Sequence, residues 1–235
     1  MKYFGLLENM EDWRLLLADP VKHWKDEYSA KELAKAWASC DRFPRKVERI
    51  LSQSGLELTP LFGFPEYKIN LPGGSRPSQT DLYVLAQDRE GGLFPIMVEG
   101  KAKETFGPLV SEWRKERSES GLERLDFLAK ELELPFRDID NLRYQLLHRT
   151  VSVLLEGRRI GAGRGMMLVH AFADNEDSFD DYSRFLAHFG IEAEKDSVQG
   201  PVVLGNFHLQ FAWIQAPPTK LDPSKSIILQ LLSMR

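Results

Sequence analysis

Cysteine is almost absent from this chain of 235 residues, in which Cys40 stands alone. A single cysteine excludes an internal disulfide, and no nucleophile signature surrounds it. The five histidines lack the spacing of zinc ligands, and no serine lies in the strand-to-helix turn of a serine hydrolase. The sequence therefore disfavours a disulfide scaffold, a zinc site and a serine hydrolase.

Long apolar runs are also missing. No run approaches the roughly 20 residues that span a bilayer, and charged side chains interrupt the N-terminal stretch where a signal peptide would be apolar. These absences predict a cytoplasmic protein with no membrane partner. The net charge of −4 argues against binding nucleic acid through bulk charge, but it does not exclude a local basic cleft.

The composition that remains, 43% apolar and 28% charged residues, is ordinary for a globular protein. The helical and strand-like segments along the chain together predict an α/β fold. Ser29 and Glu32 have the spacing of a capping box, which predicts a helix start in an N-terminal helical segment, residues 1–44. Residues 45–173 are predicted to form the core of the domain, with a helical insertion at about 104–138. Residues 174–235 are predicted to form a C-terminal extension of the same domain: a helix, a strand and an apolar tail.

Alternating apolar residues and turn signals predict a sheet. Its strands are expected at 59–70, 81–86, 94–101, 166–172 and 207–214. The short glycine-bearing connection between the second and third strands predicts an antiparallel hairpin. A helix from about Asp140 to Arg159 then leads into a parallel crossover. The apolar tail, residues 227–232, is expected to pack on the body or on a second copy, which would make a homodimer.

Acidic residues at the ends of two neighbouring strands give the clearest indication of chemistry. Asp81 begins one strand, and Glu99-Gly100-Lys101 ends the next. Strand alternation places Glu99, Lys101 and Lys103 on one side of their strand. If the hairpin brings Asp81 beside Glu99, their carboxylates can share one Mg²⁺, with the Gly100 carbonyl as a third ligand. Such an ion activates water for phosphodiester hydrolysis, which Lys101 would assist.

A second Glu-x-Lys, Glu66-Tyr67-Lys68, matches the same short pattern in the preceding strand. The later motif is favoured because it follows a strongly apolar strand and has an aspartate one strand earlier. A plain interpretation also stays open, in which these are solvated charges at strand ends.

The order of helix, strand, strand with Asp81, strand with Glu99-Gly100-Lys101, helix and strand resembles the PD-(D/E)xK nuclease superfamily. The resemblance covers roughly residues 45–173. It implies a restriction-endonuclease-like core, a mixed sheet flanked by helices, and a Mg²⁺- or Mn²⁺-dependent nuclease acting on DNA or RNA. It also implies that Asp81 and Glu99 bind metal and that Lys101 is the catalytic lysine.

The resemblance extends to residues outside the two strands. Gln145 matches a glutamine that some members carry on the following helix, and Glu48 is the positional candidate for a first-helix carboxylate. Arg149, His148 and Lys103 are candidates for phosphate contacts. Thr80 replaces the proline that often precedes the aspartate, and the insertion is long.

Several strings of this sequence also resemble an uncharacterised bacterial protein family, a likeness that implies no activity. Among them are Val98-Glu99-Gly100-Lys101 and the segment from Tyr144 to Arg149. An alternative to the nuclease is therefore a non-catalytic binding or assembly protein that retains the fold.

Overall fold

Groups of helices and groups of strands follow one another along the part of the chain that the structure, a computed structural model, describes: residues 2–3, 10–17, 19–38, 40–115 and 117–218. The helices are α1 (Pro20–His23), α2 (Ser29–Ala38), α3 (Arg45–Gln53), α4 (Val110–Lys115), α5 (Glu119–Glu131), α6 (Tyr144–Ile160) and α7 (Glu176–Ala187), with 3-10 turns at Met10–Leu16 and Phe136–Asp138. The strands are β1 (Lys2–Tyr3), β2 (Thr59–Ile69), β3 (Ser78–Gln87), β4 (Leu93–Lys101), β5 (Arg164–Ala171), β6 (Ser197–Leu204) and β7 (Phe207–Gln215).

The strands of the described residues form one mixed sheet in the order β1-β2-β3-β4-β5-β7-β6. β2, β3 and β4 make the predicted antiparallel meander, and β5 lies parallel to β4 after the α6 crossover. β7 pairs with β5, so the C-terminal segment extends the same sheet. The expected α/β class, with a mixed sheet flanked by helices, is confirmed.

Strand β4 shows why the sheet needs helices on both faces. Its side chains alternate between two apolar clusters, with Met97 facing α5, α6 and α7, and Ile96 and Val98 facing α2 and α3. An apolar strand buried on both faces occupies the middle of such a sheet. Its polar end, Glu99 to Lys101, is therefore held at a buried position by the apolar stretch before it.

Helix α6 follows directly from its sequence. Leu147, Val151 and Leu154 recur at helical spacing and are fully buried against the sheet. Gly161 ends the helix in the left-handed conformation, with φ of 72°, as glycine readily does. This geometry places the first turns of α6 over the C-terminal end of β4.

Strand β6 was not predicted, because Gly200-Pro201 in its middle is typical of a turn. The register shifts between Gln199 and Val202, so the pair is accommodated as a bulge beside β7. The predicted apolar tail, residues 227–232, lies outside the described residues. Among the helices described, none is both long and apolar enough to cross a membrane.

Candidate active site

Three carboxylates from three adjacent strands meet at one end of the sheet. Leu82 pairs with Val98, so the next positions along β3 and β4 are Asp81 and Glu99. On the other side of β3, Pro65 and Tyr67 pair with the two neighbours of Asp81, which puts Glu66 opposite Asp81. Directly opposed residues of antiparallel strands share a face of the sheet. The row is Glu66, Asp81 and Glu99.

The carboxylate of Glu99 is buried and fully engaged by cationic and amide groups. Its Oε1 accepts hydrogen bonds from Lys101 Nζ at 2.9 Å and from Gln145 Nε2 at 2.6 Å. Its Oε2 accepts from Arg149 Nε at 2.6 Å. Burial works against ionisation, but the charges of Arg149 and Lys101 lower the pKa of Glu99 below its usual value. Glu99 is therefore the anionic centre of the cluster.

Lys101 is held on three sides. Its ammonium donates to Glu99 Oε1 and, at 3.0 Å, to Gln145 Oε1, and it lies 4.6 Å from the centre of the Phe106 ring. The side chain is almost fully buried. Gln145 uses both ends of its amide, donating to Glu99 and accepting from Lys101. The predicted trio of Glu99, Lys101 and Gln145 is thus one hydrogen-bonded unit.

Asp81 caps the end of β4 from the neighbouring strand. Its Oδ2 accepts from the backbone N–H of Gly100 at 2.8 Å. The N–H and C=O of one strand residue point the same way, so the Gly100 carbonyl also faces β3. Burial raises the pKa of Asp81 well above its usual value, and repulsion from Glu99 and Glu66 raises it further.

Glu66 is the functional-site candidate that sequence reasoning set aside. It adopts a left-handed backbone conformation with φ of 54°, unusual for a residue other than glycine. Its Oε2 accepts a hydrogen bond from Gln79. Burial raises the pKa of Glu66 to about 7, and the charge of Glu99 contributes to the rise. Only the register between β2 and β3 identifies Glu66 as part of the cluster, and the Glu-x-Lys motif does not specify that register.

Arg149 and His148 lie beside the cluster, and their phosphate contacts stay a prediction. Arg149 is buried in its ion pair with Glu99, and its Nη1 also lies 3.3 Å from Ser78 Oγ. His148 Nδ1 is 2.8 Å from the same hydroxyl. Burial, followed by the charge of Arg149, lowers the pKa of His148 well below its usual value. His148 is therefore a neutral partner of Ser78.

Two predicted residues are not brought to the cluster. Glu48 pairs with Arg42 at 2.7 Å and lies with Leu58 and Thr59. Thr59 pairs with Gln87, at the end of β3 that is far from Asp81. Glu48 therefore lies away from the cluster, and its predicted role as the first-helix carboxylate of the site was wrong.

Lys103 was also expected on the face of Glu99, but β4 ends at Lys101. The strand alternation on which that expectation depended therefore stops two residues before Lys103. Lys103 is exposed and pairs with Glu27 at 2.7 Å.

The donor set gives a direct test of the expected Mg²⁺ ion. No group of three or more His, Cys, Asp or Glu side chains in the described part of the chain is arranged as a metal cage. Mg²⁺, however, is usually held by one or two carboxylates together with water and substrate phosphates. Three carboxylates face only two cations here, Lys101 and Arg149, and the raised pKa of Asp81 follows partly from that excess negative charge. Asp81 and Glu99 therefore offer the type of ligand that Mg²⁺ takes, and an ion held between them stays a prediction.

Comparison with known proteins adds a family but no activity. No curated protein and no solved structure matches this chain. Residues 6–218 match a family described as a domain of unknown function, DUF6946. Because the match covers most of the 235 residues, the chain belongs to the DUF6946 family.

Proposed function

We propose that this protein is a metal-dependent nuclease, or a closely related phosphodiesterase, that hydrolyses nucleic-acid phosphodiester bonds. The observation that carries the proposal is the hydrogen-bonded unit of Lys101, Glu99 and Gln145, with Asp81 of the adjacent strand bonded to the Gly100 N–H. A buried lysine that shares a carboxylate with a glutamine costs desolvation free energy, and such polar clusters concentrate at functional sites.

The resemblance to the PD-(D/E)xK superfamily supports the same proposal. That resemblance implies a restriction-endonuclease-like core, and α3, the β2-β3-β4 meander, α6 and β5 follow one another in the expected order. It also implies an acidic residue early in one strand and another late in the next. Asp81 is the fourth residue of β3, and Glu99 is the third residue from the end of β4.

Asp81 and Glu99 would hold Mg²⁺ or Mn²⁺, with the Gly100 carbonyl on the same side of β4. When bound, the ion would lower the pKa of a coordinated water and neutralise charge at phosphorus. Lys101 would orient the attacking oxygen or stabilise the developing oxyanion. Gln145 keeps Lys101 in place through its side-chain oxygen. Glu66, whose pKa is about 7, would accept or return a proton near neutral pH.

Cleavage of plasmid DNA and of single-stranded RNA with Mg²⁺ or Mn²⁺ tests the proposal. We expect Lys101→Ala to lower the cleavage rate by about 10²–10³-fold, in the range seen when one charge-stabilising group is removed. Lys130→Ala is the matched control, because Lys130 is an exposed lysine of α5. Cleavage that survives Lys101→Ala unchanged, or that is absent with both metals and both substrates, would contradict the proposal.

A second candidate function is a non-catalytic binding or assembly protein that retains the fold. It is favoured by one observation: both oxygens of Glu99 are already occupied by Lys101, Gln145 and Arg149. Thermal melting with increasing Mg²⁺ or Mn²⁺ separates the two candidates. A metal-binding site raises Tm with ligand concentration by linkage, whereas a purely structural cluster leaves Tm unchanged.

A further inference from the structure

A cavity of about 470 Å³ opens beside the candidate active site. Its walls come from the glycine-bearing loop at residues 71–78, from α4 and the start of α5, and from the first turns of α6. Helices α4 and α5 belong to the predicted insertion at about residues 104–138, so the insertion forms one side of the cavity.

The cavity has positive charge in a protein whose net charge is −4. Arg76, Arg117 and Arg124 line it, and no Asp or Glu is among its described lining residues. Arg124 is committed to the backbone carbonyls of Leu71, Pro72 and Gly74, at 3.0–3.3 Å. It fixes the loop but has little capacity left for a ligand.

Arg76 and Arg117 remain available. Both are exposed, and neither has a carboxylate partner within the part of the chain that the structure describes. The guanidinium of Arg117 lies over the Trp113 ring at 4.6 Å, and Trp113 stacks on Tyr144 with ring centres 4.0 Å apart. An aromatic platform positions the guanidinium without neutralising its charge.

The floor of the cavity connects to the proposed catalytic residues. Ser78 and His148 line the cavity and lie 2.8 Å apart. Ser78 also contacts Arg149, which is the ion-pair partner of Glu99. One side chain, Arg149, therefore separates the cavity floor from the carboxylate of Glu99. A ligand in the cavity would lie next to a phosphodiester held at Asp81 and Glu99.

We propose that this cavity is a phosphate-binding subsite, in which Arg76 and Arg117 bind a phosphate of the nucleic-acid substrate next to the one that is cleaved. Arginine suits this task because its planar guanidinium can donate two parallel hydrogen bonds to phosphate oxygens. That this phosphate belongs to a substrate rests on the proposed nuclease activity. Binding of a phosphate by the two arginines does not, since it needs neither metal nor catalysis.

The test is fluorescence anisotropy of labelled 12-nucleotide DNA and RNA single strands in EDTA, at several salt concentrations. We expect the double variant Arg76→Ala/Arg117→Ala to bind at least tenfold more weakly than the unmodified chain. Each lost phosphate contact makes the slope of log affinity against log salt less steep by about 0.7 for a single strand. Because the two arginines bind one phosphate, the double variant should lose about 0.7 of that slope.

The matched control is Arg137→Ala, which removes an exposed arginine outside the cavity lining. It should leave both affinity and slope unchanged. Competition by a mononucleotide identifies the source of the phosphate: equal competition assigns the site to a free nucleotide, and preference for the strand assigns it to a polymer. Unchanged binding in the double variant, or an equal loss in Arg137→Ala, would overturn the proposal.

The same measurements keep this proposal separate from the nuclease. If strands bind through Arg76 and Arg117 but no metal supports cleavage, the subsite stands and the hydrolytic activity fails. If Lys101→Ala abolishes cleavage while the arginine double variant binds normally, the nuclease stands and the subsite fails.

Discussion

At the scale of single residues, the surroundings of Glu99 decide how much the carboxylate cluster lowers the stability of the fold. A buried carboxylate is tolerated only when nearby cations and hydrogen-bond donors compensate for its lost hydration. Glu99 has Lys101 and Arg149 within 2.9 Å. Replacing a buried ion pair by apolar groups often leaves stability unchanged or raises it. Two cations, one amide and three carboxylates at one strand end are therefore a poor device for stability alone. This is a physical reason to look for chemistry there.

The pH dependence of the free energy of unfolding measures the cost of burying Glu66. Its pKa is about 7 in the folded protein against 4.5 in the unfolded chain, because burial disfavours the charged form. The folded state thus holds a proton that the unfolded state has released between these two values. The free energy of unfolding should fall as pH rises from about 4.5 to 7, by up to about 3 kcal/mol.

Urea unfolding in EDTA at several pH values, compared between the unmodified chain and Glu66→Gln, checks this expectation. The variant lacks the titrating proton, so the decrease over this interval should be smaller by the contribution of Glu66. Glu123→Gln, at an exposed position of α5, should follow the unmodified chain. Parallel curves for the unmodified chain and Glu66→Gln would show that Glu66 titrates normally in the folded state.

At the scale of elements, the apolar patterns determined which segments pair but not their exact partners. The β3–β4 hairpin was predictable because a short glycine-bearing loop joins two apolar runs. The partner of Asp81 on β2 was not, since a shift of one residue would turn Glu66 to the other face. Glu48 was misplaced for a related reason: its helical position does not reveal which end of the sheet α3 covers.

The loop at residues 71–78 is a second element whose position depends on contacts distant in sequence. Gly73 has φ of 69°, and a Cβ atom there would lie only 2.3 Å from the Ser120 carbonyl oxygen. Gly73→Ala would therefore add backbone strain and a clash with α5. We expect a loss of about 3 kcal/mol in the free energy of unfolding, measured with urea.

Gly55→Ala is a matched control for that loss. Gly55 has a similar φ of 75°, but nothing lies within 4 Å of its added Cβ. It should cost about 1 kcal/mol, from the left-handed backbone alone. The difference between the two variants isolates the contact between the loop and α5. Equal losses would mean that the loop does not depend on that close approach.

At the scale of the whole molecule, the N-terminal helices and the sheet share one apolar core. Trp37 of α2 is fully buried, and its Nε1 donates to His170 Nδ1 on β5 at 3.0 Å. His170 Nε2 is buried without a hydrogen-bond partner among the described residues. A hydrogen bond between an N-terminal helix and a central strand couples segments 133 residues apart. Such packing favours unfolding as one cooperative unit.

Acid unfolding tests that coupling. Burial lowers the pKa of His170 from 6.5 to about 3, so the folded state keeps the ring neutral while the unfolded chain protonates it. Stability is therefore lost as pH falls from 6.5 towards 3, by as much as about 5 kcal/mol. His170→Gln has no titrating ring, so it should shift the acid midpoint to lower pH, whereas the exposed His208→Gln should not. Tryptophan fluorescence and far-ultraviolet circular dichroism should report the same midpoint. Separate midpoints would contradict unfolding as one cooperative unit. An unshifted midpoint in His170→Gln would show that another group drives the acid transition.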